Sequence, residues 1–176
     1  MKKVEVEIRS FISKGQYQGL LSFFRKNARF LRRDSQETHY LESKEDLRIQ
    51  KNRYFSKIWL KKGKMHDEAR EEIEIRFARD DFEKLSALFS SLGFGPKIKW
   101  FREREEFRWK GIGVCLDKTK GYGYIIELEK ICRPGQEEKQ LGKLKEEFKR
   151  LGIAITPKEE FEKKFSRYER NWKKLV

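Results

Sequence analysis

Val4-Glu5-Val6-Glu7-Ile8-Arg9 alternates apolar and charged side chains without a break. Successive side chains of a strand point to opposite faces, so this run predicts a β-strand with Glu5, Glu7 and Arg9 on one face and the apolar residues on the other. The pattern recurs along the chain. Leu47 and Ile49 oppose Arg48 and Gln50, and Ile58 and Leu60 oppose Lys57 and Lys61. Ile73, Ile75 and Phe77 oppose Arg70, Glu72, Glu74 and Arg76, while Ile126 and Leu128 oppose Glu127 and Glu129. Strands are predicted over residues 4–9, 37–42, 46–53, 54–62, 70–77, 97–109, 112–117 and 122–131.

Helical spacing of apolar residues falls between some of these runs. Tyr17, Leu20, Leu21, Phe24, Ala28 and Leu31 mark a stripe that predicts a helix over 15–32. Phe82, Leu85, Leu88, Phe89 and Leu92 predict another over 80–92, opened by a capping box of Asp80 and Glu83 and stopped by Gly93. The C-terminal segment reads as helix around Leu141, Leu144, Phe148 and Leu151, and again from a Thr156–Glu159 capping box onward. Strands without a regular βαβ rhythm predict a mostly antiparallel α+β fold, and the absence of linkers or repeats predicts a single domain over residues 1–176.

Charge bounds the function. The 176 residues carry 43 Lys+Arg against 29 Asp+Glu, a formal charge of +14, and 14% are aromatic. That aromatic share suits a folded chain, and the charge suits a polyanionic partner. Residues 67–132, however, interleave 13 bases with 14 acids, unlike a nucleic-acid-binding tail. Cys115 and Cys132 are too few for a disulfide scaffold and suit a reducing compartment, so a cytoplasmic location is expected. No apolar stretch approaches the ~18–20 residues of a membrane span, and carboxylates stand where a signal peptide would be apolar. Neither membrane nor nucleic acid is the expected partner; the oligomeric state stays open, a homodimer included.

The charged faces suggest chemistry. Residues two apart lie ~7 Å apart on one strand face. The pairs Glu5/Glu7, Glu72/Glu74 and Glu127/Glu129 could therefore share a hard cation, and oxygen ligands without clustered His or Cys favour Mg²⁺ or Mn²⁺. Basic groups share those faces: Arg9, Arg48, Lys57, Lys61, Arg70, Arg102 and Arg104. A solvated outer face of an antiparallel sheet would show the same alternation. Cys115 and Cys132 are expected to fill small packing sites, and Gly111, Gly113, Gly121 and Gly123 to serve turns and strand edges.

Glu5-Val6-Glu7-Ile8-Arg9 resembles the Glu-x-Glu-x-Lys signature of the CYTH superfamily, the triphosphate tunnel metalloenzymes. The resemblance continues through Leu47-Arg48-Ile49-Gln50, Arg70-Glu71-Glu72-Ile73-Glu74 and Arg102-Glu103-Arg104. It is closest over residues 114–129, which look like the class IV adenylyl cyclase branch, and Tyr168 and Trp172 in the final helix fit that branch too. The resemblance implies an eight-stranded antiparallel β-barrel, a tunnel with flanking helices. It implies metal ligation by Glu5, Glu7, Glu72, Glu74, Asp117, Glu127 and Glu129, and phosphate binding by Arg9, Arg48, Lys57, Lys61, Arg70, Arg102 and Arg104. Arg9, Lys61 and Arg70 would be the catalytic cations.

The implied activity is divalent-metal-dependent hydrolysis of a nucleoside, thiamine or inorganic triphosphate. In the cyclase branch the same metal site would convert ATP to 3′,5′-cyclic AMP and pyrophosphate. Two departures stand out: Arg9 replaces the family's lysine, and Gln50 replaces the second arginine of Leu-Arg-x-Arg. A guanidinium keeps its proton in a protein, which argues against Arg9 as a base. With the excess of base, these departures motivate a third expectation, a non-catalytic module binding triphosphate, polyphosphate or RNA.

Overall fold

A computed structural model describes residues 4–62 and 69–176, without the side chains of residues 69 and 70. The described strands are β1 (Val4–Ile12), β2 (Arg29–Leu41), β3 (Asp46–Lys51), β4 (Ser56–Lys61), β5 (Ala69–Arg70), β6 (Glu72–Phe77), β7 (Pro96–Trp109), β8 (Ile112–Thr119) and β9 (Gly123–Cys132). Four helices accompany them: α1 (Lys14–Asn27), α2 (Phe82–Ser91), α3 (Glu137–Arg150) and α4 (Lys158–Leu175). All nine strands join one antiparallel sheet in the order β5-β1-β9-β8-β7-β2-β3-β4-β6.

The two edge strands of this sheet are neighbours in sequence. Arg70 lies opposite Glu5 on β1, Glu72 lies opposite Lys61 on β4, and only Glu71 separates them. Two residues span no more than ~7 Å, so the edges are held side by side and the sheet rolls into a tunnel. The Lys62 N–H donates to the Glu71 carbonyl at 2.9 Å and extends the seam. The strand expected at 70–77 is thus split in two at Glu71, which makes nine strands where eight were expected.

Apolar side chains face outward, under the helices. Val6 and Ile8 of β1, Phe107 of β7, Val114 and Leu116 of β8, and Ile126 and Leu128 of β9 pack with Leu20 and Phe24 of α1 and Leu144 and Phe148 of α3. Ile49, Leu41 and Phe82 form a smaller cluster beneath α2, and Trp100, Ile98 and Tyr168 hold α4. Among the described residues no helix is long and apolar enough to cross a membrane.

Three local expectations are corrected. The helix expected over 15–32 ends at Asn27, and residues from Arg29 onward belong to β2. Pairing with β7 overrides the helical spacing of Ala28 and Leu31: Phe30 packs on Phe107 at 5.5 Å and Arg32 meets Glu106 at 2.9 Å. Helix propensity is a weak prior that such tertiary pairing outweighs. The Asp80 capping box does not form, because Asp80 lies in a single 3₁₀ turn ahead of α2. Thr156 does not cap α4 either. Its hydroxyl accepts from the Phe11 N–H at 2.9 Å and pairs with the Ser10 hydroxyl at 2.8 Å. The capping box that does form joins Ser13 and Gln16 at the start of α1.

Ser10 is fully buried; its hydroxyl donates to the Ala154 carbonyl at 2.6 Å and accepts from the Thr156 N–H at 3.0 Å, tying β1 to the segment between α3 and α4. Removing it takes away the partner of the Ala154 carbonyl and of the Thr156 N–H. Ser10→Ala is expected to lower unfolding free energy by about 1–3 kcal/mol in urea titration.

Candidate functional site

Rolling the sheet with its apolar face outward turns the charged faces of the strands inward. Every expected site residue with a described side chain lines one cavity of about 340 Å³. Arg70 is placed by its backbone opposite Glu5, and its side chain lies outside the described residues.

Along β1 and β9 the carboxylates crowd together. Glu7 stands directly opposite Glu129, and Arg9 opposite Glu127. Gly113 on β8 is the other neighbour of Glu129, and a Cβ there would sit 2.6 Å from the Glu129 Cγ, so only glycine leaves room for that side chain. Burial first, then the charges of Glu129, Glu7 and Glu127, hold the Glu5 carboxyl up at about 7 despite Lys61. Burial and Glu127 also raise Glu129. Burial alone would raise Glu127, but Arg104, Arg102, Arg9 and Lys61 outweigh it and hold that carboxyl well below the usual range.

Cys115 is buried, as expected of a packing residue, and lies opposite Glu127; its sulfur and the carboxylate oxygens of Glu127 and Glu129 lie within 4.8 Å of one another. Burial pushes its thiol far up, which leaves it neutral.

The remaining expected carboxylates are held by cations. Arg104 donates to both oxygens of Asp117 at 2.7 Å, and Arg102 adds a contact at 3.2 Å. Glu74 receives Lys57 at 2.6 Å and Arg76 at 2.7 Å, and Glu72 meets Lys61 at 3.2 Å. Arg48 pairs with Asp46 at 2.6 Å, with its guanidinium 4.3 Å from the Tyr40 ring. Glu5, Glu7, Glu127 and Glu129 form one crowded set, joined to Asp117 through Arg104, which also reaches Glu127 at 3.2 Å, while Glu72 and Glu74 are held by their lysines. Gln50 donates to the Thr38 hydroxyl at 2.8 Å and is buried, so an amide–hydroxyl pair stands where a second arginine was expected.

Several lining residues escaped the sequence reading. Trp59 lies between Lys57 and Lys61 on β4, and the two-residue period that exposed those lysines would have found it. Arg32 was hidden by reading its segment as helix. Phe161 and Phe165 reach the cavity from α4, a placement only tertiary packing provides; Phe161 stacks on Phe11 at 4.6 Å and lies beneath Arg9 at 5.4 Å.

A tunnel whose strands carry inward carboxylates and guanidinium groups is the arrangement expected above from the motifs, and the CYTH domain pattern matches residues 3–165. The chain belongs to the CYTH domain family. A Pyrococcus horikoshii protein is 26% identical with a TM-score of 0.73, over 86% of this chain and 92% of that one. A Pyrococcus furiosus protein is 25% identical with a TM-score of 0.72, over 85% and 91%. A Methanocaldococcus jannaschii protein, named provisionally as an adenylate cyclase, is 34% identical over 86 residues, 48% of each chain, so the match spans about half of that relative. A Hippeastrum protein, named provisionally as an adenylyl cyclase and described as having dominant triphosphatase activity, shares the fold at 18% identity and a TM-score of 0.65, over 89% of this chain and 93% of that one.

The arrangement fits a divalent cation. Burial, reinforced by the neighbouring carboxylates, holds Glu5 at about 7, a state that positive charge relieves, and oxygen donors suit Mg²⁺ or Mn²⁺. Glu5 also makes stability pH-dependent. Its folded-state value of about 7 exceeds the ordinary 4.5, so its contribution is complete below 4.5 and is lost as pH rises through about 7. Thermal melts in chelator are expected to show Tm falling across that window, and Glu5→Gln to flatten the step. Gly113→Ala is expected to displace Glu129, read as weaker Mn²⁺ binding by calorimetry.

Proposed function

We propose that the tunnel binds a small triphosphate together with Mg²⁺ or Mn²⁺ and hydrolyses it. The observation that carries this reading is the convergence, in one cavity, of the crowded carboxylates of β1 and β9 with the cations of β1, β3, β4 and β7. The name of the Hippeastrum protein supports the hydrolytic choice.

In this reading Glu5, Glu7, Glu127 and Glu129 hold the divalent cation. When bound, the ion supplies positive charge to the phosphate oxygens. Arg9, Arg48, Lys57, Lys61, Arg102 and Arg104 grip the phosphate chain, and Arg70 completes the set by the family resemblance. To do so, Lys57 and Lys61 leave Glu74 and Glu72, and Arg102 turns from Asp117. Arg9 stays charged and acts as a fixed counter-charge, since a guanidinium does not release its proton. Positive charges gathered round the phosphate chain stabilise the negative charge that shifts onto the leaving oxygen as water attacks phosphorus in line.

A second reading, conversion of ATP to 3′,5′-cyclic AMP and pyrophosphate, is favoured by the name of the Methanocaldococcus jannaschii relative. Incubation with ATP or inorganic tripolyphosphate and Mn²⁺, with product identification, separates the two. Free phosphate without cyclic nucleotide is expected, and cyclic AMP as the main product would replace hydrolysis by cyclisation. Glu127→Ala and Glu129→Ala are each expected to lower turnover by about a hundredfold or more. Triphosphate binding without metal-dependent turnover would leave a binding module instead.

A further inference from the structure

Trp59 sits on β4 between Lys57 and Lys61, opposite Arg48 on β3 and Glu74 on β6. It lines the tunnel and is 5% exposed. The Lys57 Nζ lies 4.4 Å and the Arg48 Cζ 5.7 Å from its ring centroid. Its indole Nε1–H is buried and has no acceptor among the described residues.

That state is concentrated around the cavity. Among the described residues the buried side-chain polar atoms without a partner are Arg32 Nε, Trp59 Nε1, Thr119 Oγ1 and Gln140 Oε1, and the first three belong to residues that line the tunnel. Buried donors are nearly always paired, because leaving one unpaired costs stability. A wall that gathers them round one cavity suits a ligand that brings the missing partners. The surroundings specify the ligand's charge. Trp59 is set among Lys57, Lys61 and Arg48, while the nearby carboxylates Glu74 and Asp46 already accept from Lys57, Arg76 and Arg48. An indole only donates, so its partner is an acceptor, and an anionic oxygen is one that Lys57, Lys61 and Arg48 would share by exchanging their carboxylates for it.

We propose that Trp59 is a substrate-contact residue whose indole N–H donates to a non-bridging phosphate oxygen of the bound triphosphate, between Lys57 and Lys61. This rests on the reading of the tunnel as a triphosphate site. The contact adds direction without adding charge: two lysines attract any anion, whereas a fixed N–H rewards an oxygen at one point of the chain. It also explains a donor left unpaired at some cost to the free protein, as happens where a wall is shaped for its ligand.

Phenylalanine at 59 keeps an aromatic ring and removes the donor. Replacing an unpaired buried donor by an apolar group need not destabilise. Trp59→Phe is therefore expected to melt, ligand-free, at or above the wild-type temperature, while binding inorganic tripolyphosphate about tenfold more weakly in calorimetry with Mg²⁺ present. A residue that only packs would show the reverse, a lower melting temperature with unchanged affinity, and that result overturns the proposal. The indole resonances of the four tryptophans provide an independent readout. The Trp59 signal, assigned by substituting the other three, is expected to move downfield in wild-type protein on adding tripolyphosphate; a stationary signal overturns the proposal even if Trp59→Phe fails to fold. Wild-type protein that does not bind tripolyphosphate at all would remove the triphosphate reading and this contact with it, whereas wild-type binding with unchanged Trp59→Phe affinity removes the contact alone.

Discussion

Charges that face the inside of a rolled sheet have little water to solvate them, so they must neutralise one another or a ligand. The tunnel is arranged around that requirement. Across neighbouring strands Arg9 stands opposite Glu127, Arg104 opposite Asp117, and Lys61 opposite Glu72. Glu7 faces Glu129, with the Arg9 guanidinium 4.0 Å away, and there burial and like charge raise Glu129 and hold Glu5 at about 7. A cavity otherwise neutralised from within is thus left with one place that calls for positive charge. In the proposed function the cations that now hold Glu72, Glu74 and Asp117 exchange those partners for the triphosphate.

Holding such an interior open depends on placing the apolar packing elsewhere. The main core lies outside the barrel, between β1, β7, β8 and β9 and the helices α1 and α3. The tunnel therefore need not be filled by apolar side chains to keep the fold together. Of the aromatic side chains that line it, Tyr40, Phe55, Trp59 and Phe161 present ring faces to Arg48, Arg76, Lys57 and Arg9. The Ser10–Thr156 hydrogen bonds and the aromatic cluster around Tyr168 fasten the C-terminal segment across the barrel, which brings Phe161 and Phe165 to the cavity.

Much of this was legible in the alternation of single strands. Glu5, Glu7 and Arg9, or Lys57 and Lys61, share a face because a strand repeats every two residues. The reading failed where two periods competed. Residues 29–33 carry apolar side chains at helical spacing, and only the long pairing with β7 makes them a strand, so Arg32 went unseen as a lining residue. Gly113 looks like a turn residue, because its importance lies in Glu129 on the next strand. Thr156 has the spacing of a helix cap but is taken by Ser10, a residue at the other end of the chain.

The sequence by itself determined which side chains share a strand face, the antiparallel α+β class and the family motifs, all properties of short windows. Tertiary structure alone decided that the charged faces point inward, that Glu7 meets Glu129 while Glu74 meets Lys57, and that Trp59 keeps an unpaired N–H in the wall. The reason is physical: register and closure are set by pairing between residues far apart in the chain. A single seam, with Arg70 opposite Glu5 and Glu72 opposite Lys61, turns an open sheet with a solvated charged face into a tunnel where those charges must answer one another.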